Sequence, residues 1–229
     1  MNWKKLQNGS DIRGVALEGV EGEHVNLTPE VTEIIAKSFV KWLGNTTGSD
    51  DLTVAIGTDC RLSGESIKDA FVKGAMQAGA NVVDCGLAST PAMFMSTVSA
   101  PTMASAAVMV TASHLPFNRN GLKFFTPKGG LDSKDIAAIL DIAEKGDYAS
   151  TKAEGCSSTF DFMTVYSHHL ARYIRGGVGS DDYLHPLSGM HIIVDAVNGN
   201  GGFFEKVLRS LGADTTGSQF LNPDGHFPN

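Results

Sequence analysis

Hydrophobic residues along the chain fall into two patterns, and these patterns alternate. Short apolar runs predict buried strands, and they occupy 52–57, 81–85, 104–110, 122–126 and 191–195. Segments with apolar residues at every third or fourth position predict amphipathic helices, and they occupy 29–43, 65–78, 90–99, 134–145, 160–174 and 203–211. Strands that alternate with helices in this way are typical of an α/β fold.

Small polar residues and a glycine mark the expected ends of these helices. Thr28, directly before a proline, predicts the amino-terminal cap of the first helix, and Gly44 predicts its end. The same threonine–proline pattern at Thr90 predicts the start of the third helix. Ser63 and Ser133 are the expected caps of the second and fourth helices.

Two stretches rich in small residues predict the domain organisation. The first, 155–158, predicts a linker, and the second, 176–182, predicts a hinge between domains. We therefore expect one α/β domain over 1–182 and the start of a second over 183–229. The latter contains one strand–helix unit, which cannot cover both faces of a sheet. We expect the chain to be a truncated piece of a longer protein.

Composition and charge narrow the classes of function. The chain is 42% hydrophobic with a net charge of −7, which argues for a globular protein and against nucleic acid as a partner. No apolar run approaches the roughly 18 residues that a membrane span needs. The three cysteines have no metal-binding spacing, and no signal-peptide pattern follows Met1. We expect a cytoplasmic protein, and a plastid stroma would also fit.

Candidate chemistry is concentrated in residues 111–123, which read T-A-S-H-L-P-F-N-R-N-G-L-K. They place Ser113 on a loop directly after a predicted strand, where α/β folds collect functional groups. No Asp or Glu occurs from Cys85 to Leu131, although the chain has 25 acidic residues. The cations within that window are His114, Arg119, Lys123 and Lys128. Such a loop suits an anion, above all phosphate; alternatively, its hydroxyls only stabilise the turn.

Two further motifs contain an arginine. The sequence G-S-D-I-R-G over 9–14 predicts a turn, where Arg13 could simply pair with Asp11. The sequence G-T-D-C-R-L-S-G over 57–64 follows a predicted strand. Its Arg61 either lines a cleft or supports the loop through an ion pair with Asp59.

These motifs carry a resemblance to a known family. T-A-S-H-x-P followed by N-G-x-K resembles the active-site serine loop of the α-D-phosphohexomutases, the phosphoglucomutases and phosphomannomutases. Most members have Asn where this chain has Leu115. The D-I-R-G, G-x-D-x-R-x-S and P-D-G-x-F-P segments resemble the family too. The resemblance implies a three-layer α/β/α phosphoserine domain over 1–182 and the start of a similar domain over 183–229.

The resemblance also implies an activity. Members of the family are intramolecular phosphotransferases that interconvert hexose 1-phosphate and hexose 6-phosphate through a phosphoserine. Carried onto this chain, Ser113 holds the phosphate, and Arg13 and Lys123 are its cationic partners. Lys123 is also the candidate acid–base residue, His114 orients phosphate or moves a proton, and Arg61 is a candidate substrate-binding residue.

The implied cofactor is Mg²⁺, bound through the phosphate on Ser113 and by aspartates of a D-x-D-x-D-R loop. No such loop occurs before Asn229, so we expect the other ligands beyond it and essentially no mutase activity from this chain alone. Hexose phosphates are the expected partners, with hexose 1,6-bisphosphate as intermediate and activator. The sugar and the oligomeric state stay open. Two alternatives are a non-catalytic sugar-phosphate-binding relative and a serine hydrolase.

Overall fold

The computed structural model describes residues 1–148 and 153–229. Its contacts divide the chain into two compact units, Met1–Phe160 and Asp161–Asn229. No helix of the described residues is both long enough and apolar enough to cross a membrane.

The first unit is organised on a mixed eight-stranded sheet. Its strands are β1 Gln7–Asn8, β2 Asp11–Val15, β3 Thr53–Thr58, β4 Asn81–Leu87, β5 Ala106–Val110, β6 Arg119–Thr126, β7 Gly129–Gly130 and β8 Ser157–Thr159. Their order is β1-β2-β6-β5-β3-β4-β8, and β7 pairs with β6. β5, β3, β4 and β8 are parallel to one another, whereas β6 runs antiparallel to both β2 and β5.

Helices flank this sheet. Those of the first unit are α1 Pro29–Thr47, α2 Gly64–Gln77, α3 Thr90–Met95 and α4 Ser133–Lys145. α1, α2 and α4 share one buried core with alternate residues of the strands, in which Phe39 and Phe124 have ring centroids 4.7 Å apart. The intervening strand residues face the other side of the sheet, where α3 packs Phe94 against Phe125. The predicted α/β class is confirmed.

The second unit contains α5 Phe162–Val178 and α6 Phe203–Ser210. It has its own small apolar core of Ala171, Leu187, Val207, Leu211 and Ala213. The strand predicted over 191–195 is wrong in part, because the structure has two isolated bridges there, His191 to Asp214 and Asp195 to Gln219. The helix predicted over 203–211 is confirmed within one residue.

The boundaries of α1, α3 and α4 differ from the predicted ones because local hydrogen bonding decides them. α1 continues past Gly44 and ends at Gly48, which has a φ of 68° and donates its N–H to the Gly44 carbonyl. α4 is capped by the Asp132 side chain rather than by Ser133. α3 is capped by Ser89 rather than by Thr90, and it ends at Met95 instead of continuing to 99.

Segments predicted as turns and linkers contribute strands. The predicted turn over 9–14 is mostly β2, and β6 begins at Arg119, inside the predicted loop. The predicted linker over 155–158 overlaps β8, which pairs with β4. Backbone pairing with a neighbouring strand overrides weak local propensity in each case.

The predicted hinge over 176–182 is partly helical, since Gly176 and Gly177 belong to α5, which continues to Val178. The boundary between the two compact units falls between Phe160 and Asp161. The helix that we assigned to the first domain therefore packs in the second compact unit. The family-domain boundary between 182 and 183 stays a prediction.

Candidate active site

Ser113 lies three residues beyond β5, at the carboxyl end of the parallel strands. The residue is exposed and has a left-handed backbone with a φ of 58°. Such a conformation costs a residue other than glycine on the order of 1–3 kcal/mol unless its surroundings impose it. Here the Ser113 N–H donates to Thr111 Oγ1 at 3.0 Å, and the Ser113 carbonyl accepts from Arg61 Nη2 at 2.7 Å.

The His114 side chain lies beside the serine hydroxyl. Its Nδ1 lies 3.4 Å from Ser113 Oγ, and both residues are exposed. The contact is longer than an ordinary hydrogen bond to a hydroxyl. An imidazole in this position can contact a group attached to the serine oxygen.

Arg13 and Lys123 are brought together by the pairing of β2 with β6. Asp11 lies opposite Lys123 in this register, and Ile12, between Asp11 and Arg13, points into the core. The three polar side chains therefore share the other face of the sheet. Asp11 Oδ2 contacts Arg13 Nη2 at 2.8 Å and Lys123 Nζ at 2.6 Å. One carboxylate oxygen thus binds both predicted cations.

The Arg13 side chain extends from this ion pair toward the serine loop. Its Nη1 lies 3.4 Å from the carbonyl oxygen of Ala112, the residue before Ser113. Gly121 lies opposite Arg13, and a Cβ there would come within 2.5 Å of the Ile12 carbonyl oxygen and 2.9 Å of Arg13 Cγ. The glycine of the N-G pair therefore provides the space through which Arg13 passes.

Arg61 is enclosed by the serine loop. Its side chain is 1% exposed, and its Nε lies 3.3 Å from Asp59 Oδ2. Its two terminal nitrogens donate at 2.6–3.1 Å to the backbone carbonyls of Ser113, Leu115, Pro116 and Arg119. Burial lowers the pKa of this guanidinium from its usual value. The contacts favour loop support, the second of the two predicted roles.

Asp59 and Ser63 contact the same loop from the same β3–α2 connection. Asp59 Oδ2 accepts from Thr111 Oγ1 at 2.5 Å, and burial raises the pKa of the carboxyl despite that bond. Ser63, predicted as a helix cap, makes no capping hydrogen bond and instead accepts from Asn120 Nδ2 at 2.9 Å. Side chains at alternate positions 59, 61 and 63 therefore all bind the serine loop.

Glu23 modifies the expected charge of this region. It accepts from Arg119 at 3.1 and 2.5 Å and from Asn118 at 2.7 Å, and the Arg119 hydrogen bond lowers its pKa. Glu23 and the carboxylates of Asp11 and Asp59 come from outside the acid-free window. The loop has less free positive charge than its local sequence indicates.

Sequence reasoning missed several of these contacts. Thr111, Asn120 and Glu23 received no role, and Asp11 was considered only as a partner of Arg13. The polar residues Asp59, Arg61 and Ser63 directly follow a predicted strand, where α/β folds collect functional groups, and this position was a usable signal. Glu23 had no comparable signal, since its partners lie 95 and 96 positions away.

A complete metal site is not formed by residues 1–148 and 153–229. No group of three or more His, Cys, Asp or Glu residues in these ranges is arranged to hold a metal ion. A hard cation such as Mg²⁺ needs several oxygen ligands. The residues present therefore do not fit a complete Mg²⁺ site.

Fold and site define an α/β protein that presents an exposed serine at the carboxyl end of its strands, beside paired cations. Residues 4–150 match the model of the phosphoglucomutase/phosphomannomutase α/β/α domain I. The chain belongs to the phosphoglucomutase/phosphomannomutase family.

Individual relatives agree with this assignment. Phosphoglucomutase of Neisseria meningitidis serogroup B is 30% identical over 220 residues, which cover 96% of this chain and 43% of that protein. Phosphoglucosamine mutase of Streptococcus sanguinis is 33% identical over 216 residues, which cover 91% of this chain and 45% of that protein. The chain therefore spans less than half the length of these curated relatives.

A solved structure shares the fold. The crystal structure of a phosphoglucomutase/phosphomannomutase family protein from Burkholderia thailandensis matches with a TM-score of 0.76 and 24% sequence identity. The match covers 96% of this chain and 45% of that one. At this level of identity the likeness supports the fold.

Proposed function

We propose that this chain is the phosphoserine-bearing part of an intramolecular phosphotransferase that interconverts hexose 1-phosphate and hexose 6-phosphate. The observation that carries the proposal is the exposed, left-handed Ser113 beside Arg13, whose guanidinium reaches the Ala112 carbonyl. Membership of the family supports it, and so do the names of the curated relatives.

The reaction needs little covalent chemistry from the protein beyond its serine. A sugar hydroxyl attacks the phosphorus of phosphorylated Ser113, and the bond from phosphorus to Ser113 Oγ breaks as the bond to the sugar oxygen forms. Lys123 gives a proton from its ammonium group to Ser113 Oγ as the phosphorus–oxygen bond breaks, and the proton of the sugar hydroxyl then restores the ammonium group. The intermediate, hexose 1,6-bisphosphate, reorients in the site and gives its other phosphate back to Ser113.

The remaining site residues stabilise charge and geometry in this proposal. Arg13 and Lys123 oppose the negative charge of the transferring phosphoryl group. Phosphoserine adds about −1.5 to −2 charges at neutral pH, so it competes with Asp11 for both cations. His114, 3.4 Å from Ser113 Oγ, orients the phosphate.

Mg²⁺ is the cofactor that the resemblance implies, with one ligand from the phosphate on Ser113. The described residues form no cluster suited to a metal ion, and the resemblance assigns the other ligands to a D-x-D-x-D-R loop, which does not occur in this sequence. The chain's own residues bind and orient phosphate. When bound, the ion would help to neutralise phosphate charge.

The proposed partners are hexose phosphates, with no nucleic acid or membrane partner. The names of the relatives include both glucose and glucosamine phosphates, so they do not select one sugar. We propose a cytoplasmic or stromal location, because the three cysteines, Cys60, Cys85 and Cys156, are odd in number and widely spaced in the sequence.

The proposal is tested on the enzyme of which this chain is proposed to be a part, by mass spectrometry of the native protein and by the Ser113→Ala variant of that protein. We expect phosphate on Ser113 and loss of sugar-phosphate interconversion in the variant. An unmodified Ser113 together with full activity of the variant would contradict the proposal. Fluorophosphonate labelling of Ser113 would indicate a hydrolase, and phosphate binding without turnover would indicate a non-catalytic relative.

A further inference from the structure

Four residues form a closed ring of contacts around the Ser113 backbone. The Ser113 N–H donates to Thr111 Oγ1, and Thr111 Oγ1 donates to Asp59 Oδ2. The Ser113 carbonyl accepts from Arg61 Nη2, and Arg61 Nε lies 3.3 Å from that same Asp59 oxygen. The ring, which we call the serine clasp, consists of Asp59, Thr111, Ser113 and Arg61.

The serine clasp binds the backbone of Ser113 and leaves its side chain exposed. Both polar groups of the Ser113 main chain are bound, the N–H at 3.0 Å and the carbonyl at 2.7 Å. Asp59, Thr111 and Arg61 are largely buried, and Arg61 is 4% exposed. Buried side chains with several hydrogen bonds have little freedom to move, so they can hold a backbone conformation that serine seldom adopts alone.

The other members of the serine clasp hold the loop on both sides of Ser113. Thr111 is attached through the carboxyl end of β5, which lies beside β3 in the sheet. Arg61 comes from the β3–α2 connection and also binds the carbonyls of Leu115, Pro116 and Arg119. The loop is therefore fixed before and after the serine, while the serine itself stays exposed.

We propose that Thr111 and Arg61 are positioning residues which, joined by Asp59, hold Ser113 in the left-handed conformation that presents its hydroxyl for phosphoryl transfer. The functional half of this inference rests on the proposed phosphoserine role. Thr111 acts through both functions of its hydroxyl, as acceptor from Ser113 and donor to Asp59. Serine can supply both at this position, whereas valine has the same shape and can supply neither.

The test compares Thr111→Val with Thr111→Ser in the 229-residue chain by NMR. In T111V we expect amide exchange at Ser113 to be about tenfold faster, since its hydrogen bond is lost. We also expect backbone shifts and dipolar couplings to show loss of the positive φ. T111S should restore both readings. Thr53→Val, at the opposite end of β3, is the matched control and should leave Ser113 unchanged.

Arg61→Lys tests the other side of the serine clasp. Lysine keeps the charge but lacks the planar fork that binds several carbonyls at once. We expect a changed carbonyl carbon shift at Ser113 and loss of its positive φ in R61K. An unchanged Ser113 φ in both T111V and R61K overturns the inference, and R61K alone decides it if T111V fails to fold.

The two proposals fail in different ways. If Ser113 keeps its φ in the variants while native Ser113 carries phosphate, the serine clasp is wrong and the phosphoserine role stands. If the variants release Ser113 but native Ser113 never carries phosphate, the proposed function is wrong. If native Ser113 carries phosphate, the serine clasp further requires that T111V slow the transfer of phosphate from hexose 1,6-bisphosphate to Ser113, and that T111S restore the rate. This transfer is measured in the enzyme of which the chain is proposed to be a part.

Discussion

Single carboxylates determine how the cations of the candidate site are held. Asp11 contributes one oxygen to Arg13 and Lys123, and its side chain is only 9% exposed. Without that charge, two neighbouring cations would lie together on a largely covered surface. Charge-assisted hydrogen bonds of this kind are worth more than exposed ion pairs.

The first prediction concerns Asp11→Asn. We expect the free energy of unfolding to fall by about 1–3 kcal/mol, because the amide leaves Arg13 and Lys123 without their shared charge. Asp141→Asn is the matched control, since the pair of Asp141 with Lys145 is largely exposed, and we expect a change of about 0–1 kcal/mol. Urea denaturation measures both, and equal effects would contradict the prediction.

The second prediction concerns the pH dependence of Asp59. Burial raises the pKa of its carboxyl above the ordinary 3.8, so the folded protein holds this proton to higher pH than the unfolded chain. The contribution of the Asp59 carboxyl to the free energy of unfolding therefore falls as the pH rises from 3.8 through the raised pKa. A carbon-detected NMR titration measures the midpoint, and a value at or below 3.8 contradicts the prediction.

At the scale of secondary-structure elements, α1 and α2 approach each other closely at Gly74. At Gly74 of α2, a Cβ would lie 2.4 Å from the Glu33 carbonyl oxygen and 2.9 Å from Ala36 Cβ, both on α1. Gly44 of α1 has space, since its nearest neighbour would be the Ser49 carbonyl oxygen at 3.5 Å. A side chain at position 74 would therefore push α1 and α2 apart, whereas a Cβ at position 44 has room.

The third prediction compares alanine at these two positions. Gly74→Ala should lower the free energy of unfolding by about 1–3 kcal/mol, because the helices must separate. Gly44→Ala should raise it by up to about 1 kcal/mol, because alanine favours the helix. Thermal and urea unfolding measure both variants. Destabilisation by G44A comparable to that of G74A would show that helix–helix distance is not the cause.

At the scale of the whole molecule, the described residues contain Ser113, the residue proposed to carry phosphate, and the cations Arg13 and Lys123 near it. They form no cluster suited to a metal ion, and the chain spans less than half of its curated relatives. The proposed reaction needs charge neutralisation and sugar binding in addition to the serine.

The fourth prediction concerns turnover by this chain alone. The 229-residue chain, supplied with Mg²⁺ and hexose 1,6-bisphosphate, should show essentially no turnover of hexose phosphates. A coupled assay for hexose 6-phosphate measures the rate. The Ser113→Ala chain supplies the background, and turnover well above that background would contradict the prediction.

The sequence by itself determined the α/β class, most helices and strands, and the serine loop. Apolar periodicity reports which face of an element is buried, and the spacing of T-A-S-H and N-G-x-K is local. The sequence also permitted two roles for Arg61 and a turn at residues 9–14. The role of Arg61 and the conformation of residues 9–14 depend on contacts with residues that lie far away in the sequence.

Only the tertiary structure decided how the candidate site is assembled. It turned residues 11–15 into a strand because β6 provides the pairing, and this register places Asp11 opposite Lys123. It placed Glu23 on Arg119, so the acid-free window is not an acid-free site. It also enclosed Arg61 in the serine loop. Strand register and long-range ion pairs are set by the packing of the whole sheet, which local composition does not encode.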